Sequence, residues 1–338
     1  MKAHIFLDLL RPHTTISLIG MCKNAGKTTV LNRCLLEYNG VNEVLGLTSI
    51  GRDGEAVDLV TKTAKPSIYV HRGALIATAS ELLPYCDISR EVLECTGLST
   101  PMGEVVIVRA LSDGHVQLGG PSTVSQLIDV RERFFRHGAS RVFIDGALSR
   151  KTLCTRALSD AAVLCTGASL EGGMDHVIEQ TAFFCTLAAL PVFSDKALSG
   201  LFRGISEAKW TLIGEKILHS NQPALFSALR EQTANRTHTL FALGALTDAM
   251  VDSYIRTADL APITIVVSDS SKLLLSRGSF QRLITKKCRF VVLDRINLVA
   301  VTVNPFSAYG NPFPPEEFLA AMSKAVSLPV FNVKEKMK

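Results

Sequence analysis

The run Gly20-Met21-Cys22-Lys23-Asn24-Ala25-Gly26-Lys27-Thr28-Thr29 follows the apolar stretch Ile16-Ser17-Leu18-Ile19 and precedes a helical pattern at Val30, Leu31, Cys34, Leu35 and Leu36. Strand, flexible loop, Gly-Lys-Thr and helix in that order are the parts of a phosphate cradle. The loop turns the backbone N–H groups around Lys23, Asn24 and Ala25 inward, and the helix adds its positive end. Gly26 lets the backbone approach an anion, Lys27 reaches the outer phosphates, and the Thr28 hydroxyl ligates Mg²⁺, with Thr29 beside it on the first turn. The expected ligand is a nucleoside triphosphate. The spacing departs from the common pattern by one residue: the usual first glycine falls on Met21, and Gly20 lies one step early.

Two carboxylates extend the chemistry. Arg141-Val142-Phe143-Ile144-Asp145-Gly146 reads as a short buried strand presenting Asp145 at its end, where a carboxylate holds Mg²⁺ through water. Val44–Ile50 reads as another buried strand, ending in Gly51-Arg52-Asp53-Gly54-Glu55. Asp53 there either positions an attacking water or a second metal contact, or is a solvated loop aspartate. Lys23 either adds charge to the phosphates, within one subunit or across the interface of a homo-oligomer, or faces solvent. Cys22 has no adjacent base and reads as structural. Phosphoryl transfer to water needs little beyond such positioning and charge neutralisation, so an ATPase is the expected enzyme class.

These residues need a sheet to hold them. The chain has 338 residues, 47% of them hydrophobic and only 20% charged, and a mean hydropathy of +0.25. That composition predicts an α/β fold with a P-loop NTPase-type, mostly parallel sheet flanked by helices, whose strands read as continuous apolar runs because both faces are covered. Strands are expected at Thr15–Ile19, Val44–Ile50, Arg141–Ala147 and Ala161–Cys165. Helices are expected to Tyr38, over Ser122–Arg136 with Gly138 as C-cap, and over Met174–Leu190 after the glycine-rich Thr166–Gly173 loop. Glu104–Leu111 and Val116–Leu118 are expected to form a hairpin turned by Asp113-Gly114. Beyond Ser194–Gly204 the pattern restarts: Trp210–Ile213, Thr239–Leu243, Ile263–Val267, Arg289–Leu293 and Leu298–Val303 alternate with helical stretches at Gln222–Gln232 and Asp248–Thr257. The expected organisation is a nucleotide-binding domain over 1–200 and a second, smaller α/β domain over 201–338, serving recognition or coupling.

The remaining composition narrows the partners. A net charge of +5 is scattered apart from Lys286, Lys287, Arg289 and the Lys334–Lys338 tail, too dilute for nucleic acid. The longest suspicious apolar run, Thr181–Phe193, is short of a membrane span and contains Pro191. Met1–Leu10 carries Asp8 and lacks the apolar core of a signal peptide, and the eight cysteines show neither C-x-x-C nor zinc spacing, so a reducing cytoplasmic home is expected. The Asn-Lys-x-Asp loop that reads guanine is absent, and Asn304-Pro305-Phe306-Ser307 lacks its aspartate, which favours ATP.

Ile19–Thr29, Gly46–Glu55 and Ile144-Asp145-Gly146-Ala147-Leu148-Ser149-Arg150 together resemble the P-loop accessory subunit of the lysine 5,6-aminomutase reactivase, a resemblance extending loosely to Pro329-Val330-Phe331. It implies a client, an adenosylcobalamin-dependent aminomutase whose damaged cobalamin is exchanged at the expense of ATP, and a companion ATPase subunit. Lys27, Thr28, Asp53 and Asp145 would carry the nucleotide cycle. Two other classes stay open at this point. One is an ATP-dependent small-molecule ligase like dethiobiotin synthetase, whose Asp-Thr pair inside the loop is replaced here by Cys22-Lys23. The other is a regulatory module that holds nucleotide without turning it over.

Overall fold

The computed structural model describes residues 2–38, 43–53, 67–146, 156–204, 210–213, 217–220, 238–256, 263–308 and 310–333. The chain forms two compact units, Met1–Ala182 together with Asn297–Lys338, and Phe183–Ile296.

The first unit is built on one large sheet. After the short helix α1 (Lys2–Leu10) come β1 (Thr15–Gly20), α2 (Lys27–Tyr38), β2 (Leu45–Ser49) and the two-residue β3 (Arg52–Asp53). Next are β4 (Ile68–Val70), β5 (Leu75–Ala79), β6 (Arg90–Thr100), β7 (Gly103–Ala110), β8 (Gly114–Val116) and β9 (Leu118–Gly119). Helix α3 (Val124–Arg136), β10 (Arg141–Asp145), β11 (Ala161–Gly167) and α4 (Gly173–Ala188) follow. The nine-stranded order is β20-β19-β11-β1-β10-β2-β5-β7-β6, where β19 (Leu298–Asn304) and β20 (Val330–Asn332) come from the far end of the chain. Every pairing from β20 to β5 is parallel, and β7 and β6 close the edge antiparallel. Among the described residues, no helix is long and apolar enough to cross a membrane.

The physical reason for a parallel arrangement is visible in the strands. All residues of β2, β10 and β11 are buried, as are Thr15–Ile19 of β1, so both sheet faces must be covered by helices. Helix α2 supplies one cover: Val30, Leu31, Cys34, Leu35 and Tyr38 are buried at helical spacing and share a core with Ile16, Leu18, Leu47 and Phe143. Helix α3 covers through Leu127, Val130 and Phe134; Thr123 caps its start by accepting from the Gln126 N–H at 3.3 Å, and Gly138 at φ +90° ends it. Arg141 at the start of β10 is 5% exposed. Its guanidinium donates to the carbonyls of Leu10, Arg11 and His13, pairs with Glu43 at 3.0 Å and lies over the Tyr38 ring.

The second unit holds a five-stranded sheet, β13-β12-β14-β16-β18, made of β12 (Trp210–Ile213), β13 (Ile217–Ser220), β14 (His238–Ala242), β16 (Ile263–Val267) and β18 (Arg289–Val292). Strands β14, β16 and β18 are parallel and β12 is antiparallel to both its neighbours. The small pair β15 (Leu246–Thr247) and β17 (Leu273–Leu274), with helices α5 (Lys196–Arg203), α6 (Asp248–Arg256) and α7 (Arg277–Thr285), completes it. Its core gathers Leu240, Ile265, Phe280 and Phe290, with the last two rings stacked at 4.7 Å.

Two expectations change. The stretch Leu298–Val303 was expected in a second domain running from 201 to 338. It pairs with β11 in the first sheet instead, so the chain leaves the first unit at 182 and returns at 297. The Asp113-Gly114 hairpin does not form. Strand β7 pairs with β6 across Pro101-Met102, and β8 pairs with β4. Asp113 is engaged elsewhere, accepting from the Arg72 N–H at 2.8 Å and contacting His71 at 3.0 Å, while Gly114 packs so closely on Asp87 and Ile88 that no side chain fits. The helix expected at Gln222–Gln232, the residues Gly54, Glu55 and Leu148–Arg150, and the Lys334–Lys338 tail lie outside the described residues.

Candidate functional site at the carboxyl edge of the first sheet

Strand β1 occupies the middle of the parallel sheet, between β10 and β11. The chain moves from β1 to β2 on one side and to β11 on the other, so the edge at the end of β1 is where the strand order reverses. Such a point opens a crevice beyond the carboxyl ends of the strands. Loop 21–26 lies in it.

Local conformation makes the loop curl. The Met21 N–H still donates to the Cys165 carbonyl at 2.9 Å, extending the β1–β11 ladder by one residue. Beyond it, Asn24 at φ +58° and Gly26 at φ +95° occupy left-handed conformations, which bend the backbone so that successive amides converge. Ala25 is fully buried and Cys22 is 7% exposed, so the loop is pinned to the core by its two small apolar residues. Helix α2 starts at Lys27, and the Gly26 carbonyl accepts the Val30 N–H at 3.0 Å. The first-turn amides of Lys27, Thr28 and Thr29 therefore have no acceptor within the helix and are directed back into the crevice.

The Lys27 side chain folds back over the end of β1. A Cβ built on Gly20 would lie 3.0 Å from Lys27 Nζ, 3.2 Å from its Cδ and 3.1 Å from the Cys22 carbonyl. The early glycine thus has a local purpose: it leaves room for the lysine. Gly26 is confined as well, its hypothetical Cβ lying 3.4 Å from both Asn304 Cβ and Val333 Cγ2. Opposite, Asp145 is fully buried at the last position of β10, in register with Leu18 of β1 and Ser49 of β2. Backbone bonds hold that end in place. The Ile50 N–H donates to the Asp145 carbonyl at 3.0 Å and the Gly146 N–H to the Leu18 carbonyl at 2.9 Å.

Both charges act on one buried thiol. Burial pushes the Cys165 thiol up to about 12; the Lys27 charge opposes that shift and the Asp145 charge reinforces it, so both charged residues lie within reach of the same buried sulfur. Burial likewise pushes the Cys22 thiol up to about 11 against the pull of Lys27. Cys22 is a protonated, buried thiol, consistent with a structural residue. The seven described cysteines are all free.

The structure therefore places Gly20, Asn24, Ala25, Gly26 and Lys27 at the carboxyl end of β1 and Asp145 at the same end of the neighbouring β10, with Thr28 and Thr29 partly exposed on the first turn of α2 and Lys23 exposed. Asp53 is placed through its backbone alone, in β3, paired with Leu118 of β9. Among the described residues no group of three or more His, Cys, Asp or Glu side chains is arranged to hold a metal ion. One participant was not legible beforehand. Asn304, at the end of β19, donates from Nδ2 to the Asn24 carbonyl at 2.9 Å and accepts the Phe306 N–H on Oδ1 at 3.3 Å, bracing the loop from 280 residues away. Nothing in local spacing signals such a contact.

No model of a known protein family matches the chain, and no curated protein matches it.

Proposed function

We propose that the first unit is a P-loop nucleotide-binding domain that takes ATP with Mg²⁺, and that the protein is an ATP-dependent reactivating chaperone subunit acting on an adenosylcobalamin-dependent aminomutase. The observation that carries the nucleotide reading is the ammonium of Lys27 folded over Gly20, beneath a loop with two left-handed residues and across from buried Asp145. A cation, convergent amides and a helix N-terminus at one point form a site for a polyphosphate. The client rests on the sequence resemblance.

In this reading the loop amides from Lys23 to Gly26 and the α2 amides hold the phosphate chain, and Lys27 neutralises its outer charge. Thr28 and Asp145 would hold Mg²⁺, which draws the outer phosphate oxygens together and offsets their charge. Asp53, four residues beyond the end of β2, would orient a water for attack on the terminal phosphorus.

Two substitutions separate these roles. Asp145→Asn raises the Mg²⁺ concentration needed for half-saturation with ATP by about tenfold, as loss of a charged partner of bound metal does, while the thermal midpoint moves little. Equal losses of Mg²⁺ response and stability would return Asp145 to the status of a buried strand terminus. Asp53→Ala lowers ATP turnover by about 100-fold with little change in ATP affinity; wild-type turnover removes its catalytic assignment. For the client, ATP turnover by the full chain is followed with and without an aminomutase holding inactivated cobalamin. A reactivase responds to the mutase, a ligase responds to an organic acid, and a holding module responds to neither.

A further inference from the structure

The crevice has two sides beyond the phosphate cradle, and they are not equivalent. On the β2 side it is closed. Segment 117–121 crosses the carboxyl ends of β2 and β5: the Gly119 N–H donates to Thr78 Oγ1 at 3.0 Å, the Gly120 N–H to the Gly51 carbonyl at 3.1 Å and the Gly51 N–H to the Pro121 carbonyl at 3.2 Å. Gly120 packs against the Ser49 carbonyl with no room for a Cβ.

On the other side the loops after β11 and β19 form a joined ledge. The Ala168 N–H donates to the Asn304 carbonyl at 2.9 Å, the Ala308 N–H to Ser169 Oγ at 3.2 Å, and Gly167 packs directly on the Asn304 backbone. Asn304 links this ledge to the cradle through its two bonds, to the Asn24 carbonyl and from the Phe306 N–H. The backbone of Phe306 is tied to the phosphate loop through the one Asn304 side chain, and the residue is 47% exposed.

We infer that the nucleoside of the bound triphosphate extends over the β11 and β19 loops and that its base stacks on the ring of Phe306. The inference rests on the phosphate reading of loop 21–26 and adds to it a direction and a stacking partner. The Asn304 amide bonds the Asn24 carbonyl on one side and the Phe306 N–H on the other, so this residue positions Phe306. A π-face accepts any base; the affinity gained is that of stacking.

The experiment uses the full chain, with ATP and inorganic tripolyphosphate as paired probes, each with Mg²⁺. Phe306→Ala lowers ATP affinity by about tenfold or more and leaves tripolyphosphate affinity unchanged. Phe306→Trp gives a direct signal, because the chain has a single tryptophan, Trp210, which is buried at 5% exposure in the second unit. ATP quenches the new indole and tripolyphosphate does not. The inference is overturned if Phe306→Ala weakens both probes alike or neither, or if ATP leaves the indole unquenched. If the wild type binds neither probe, the phosphate reading itself fails and this inference goes with it; if it binds tripolyphosphate but gains nothing from the nucleoside, only the stacking proposal falls.

Discussion

Lys27→Ala is expected to bind ATP about 1000-fold more weakly than the parent, measured by calorimetry at fixed Mg²⁺. The size follows from what the side chain does at its position. Its ammonium lies over Gly20 at the end of β1, on the side of the Cys22 carbonyl, where a phosphate held by the loop would come to rest. Truncating one member of a hydrogen-bonded charge pair in such surroundings costs about 2–5 kcal/mol, much of it from leaving the other charge without its counterion. The fold should persist, since a side chain at the crevice mouth contributes little to the core. Unchanged ATP affinity with an intact thermal transition would leave the loop as an ordinary strand-to-helix connection.

The second large effect concerns the scaffold. Phe134→Ala should lower the thermal midpoint by roughly 10 °C. The ring is fully buried on α3 and lies against Gly46 of β2, where a Cβ would come within 2.9 Å of Phe134 Cγ. Ring and missing side chain are complementary, so no neighbour fills the space when the ring is removed. Large-to-small changes of this kind cost about 3–5 kcal/mol, and a unit of this size shifts by about 2–4 °C per kcal/mol. Scanning calorimetry of the variant, with Phe134→Leu as a milder comparison, checks it; a drop of only about 2 °C would mean that the sheet and helix repack freely there.

The parts of the fold legible in the sequence were those governed by local chemistry. Thr15–Gly20, Lys27–Tyr38, Arg141–Asp145, Trp210–Ile213 and Ile263–Val267 lie where apolar runs and helical spacing place them, within a residue or two. The stop of α3 followed from Gly138, a left-handed glycine, while its start, expected at Ser122 from helical spacing, lies at Val124 behind the cap of Thr123. Two kinds of feature were hidden. Strands β4 and β5 were not assigned, because Ile68–Val70 is too short to show a period and Leu75–Ala79 contains three small or polar residues that are buried only by their neighbours. Sheet partnership was the other. An apolar strand such as Leu298–Asn304 carries no mark of which sheet it joins, and Asp113-Gly114 looks like a hairpin turn until the acid is seen bound to Arg72 and His71. At the candidate site, the residues contiguous in sequence were named from their motif, whereas Asn304 was weighed only for reading a base and not as a brace of the loop. Its chemistry, one amide bonding a carbonyl and an N–H, occurs in countless loops.

The return of the chain at residue 297 has a consequence for how the protein is made. Translation delivers the loop, α2, β10 and β11 early, yet the strand that covers the flank of β11 and supplies Asn304 emerges only after the whole of Phe183–Ile296 has been added. Until then β11 presents a bare row of backbone amides and carbonyls, an invitation to pair with another nascent chain. Competence at the crevice is therefore a late event in biogenesis. A ribosome stalled before codon 304 would release a polypeptide with the charged loop in place and its brace missing.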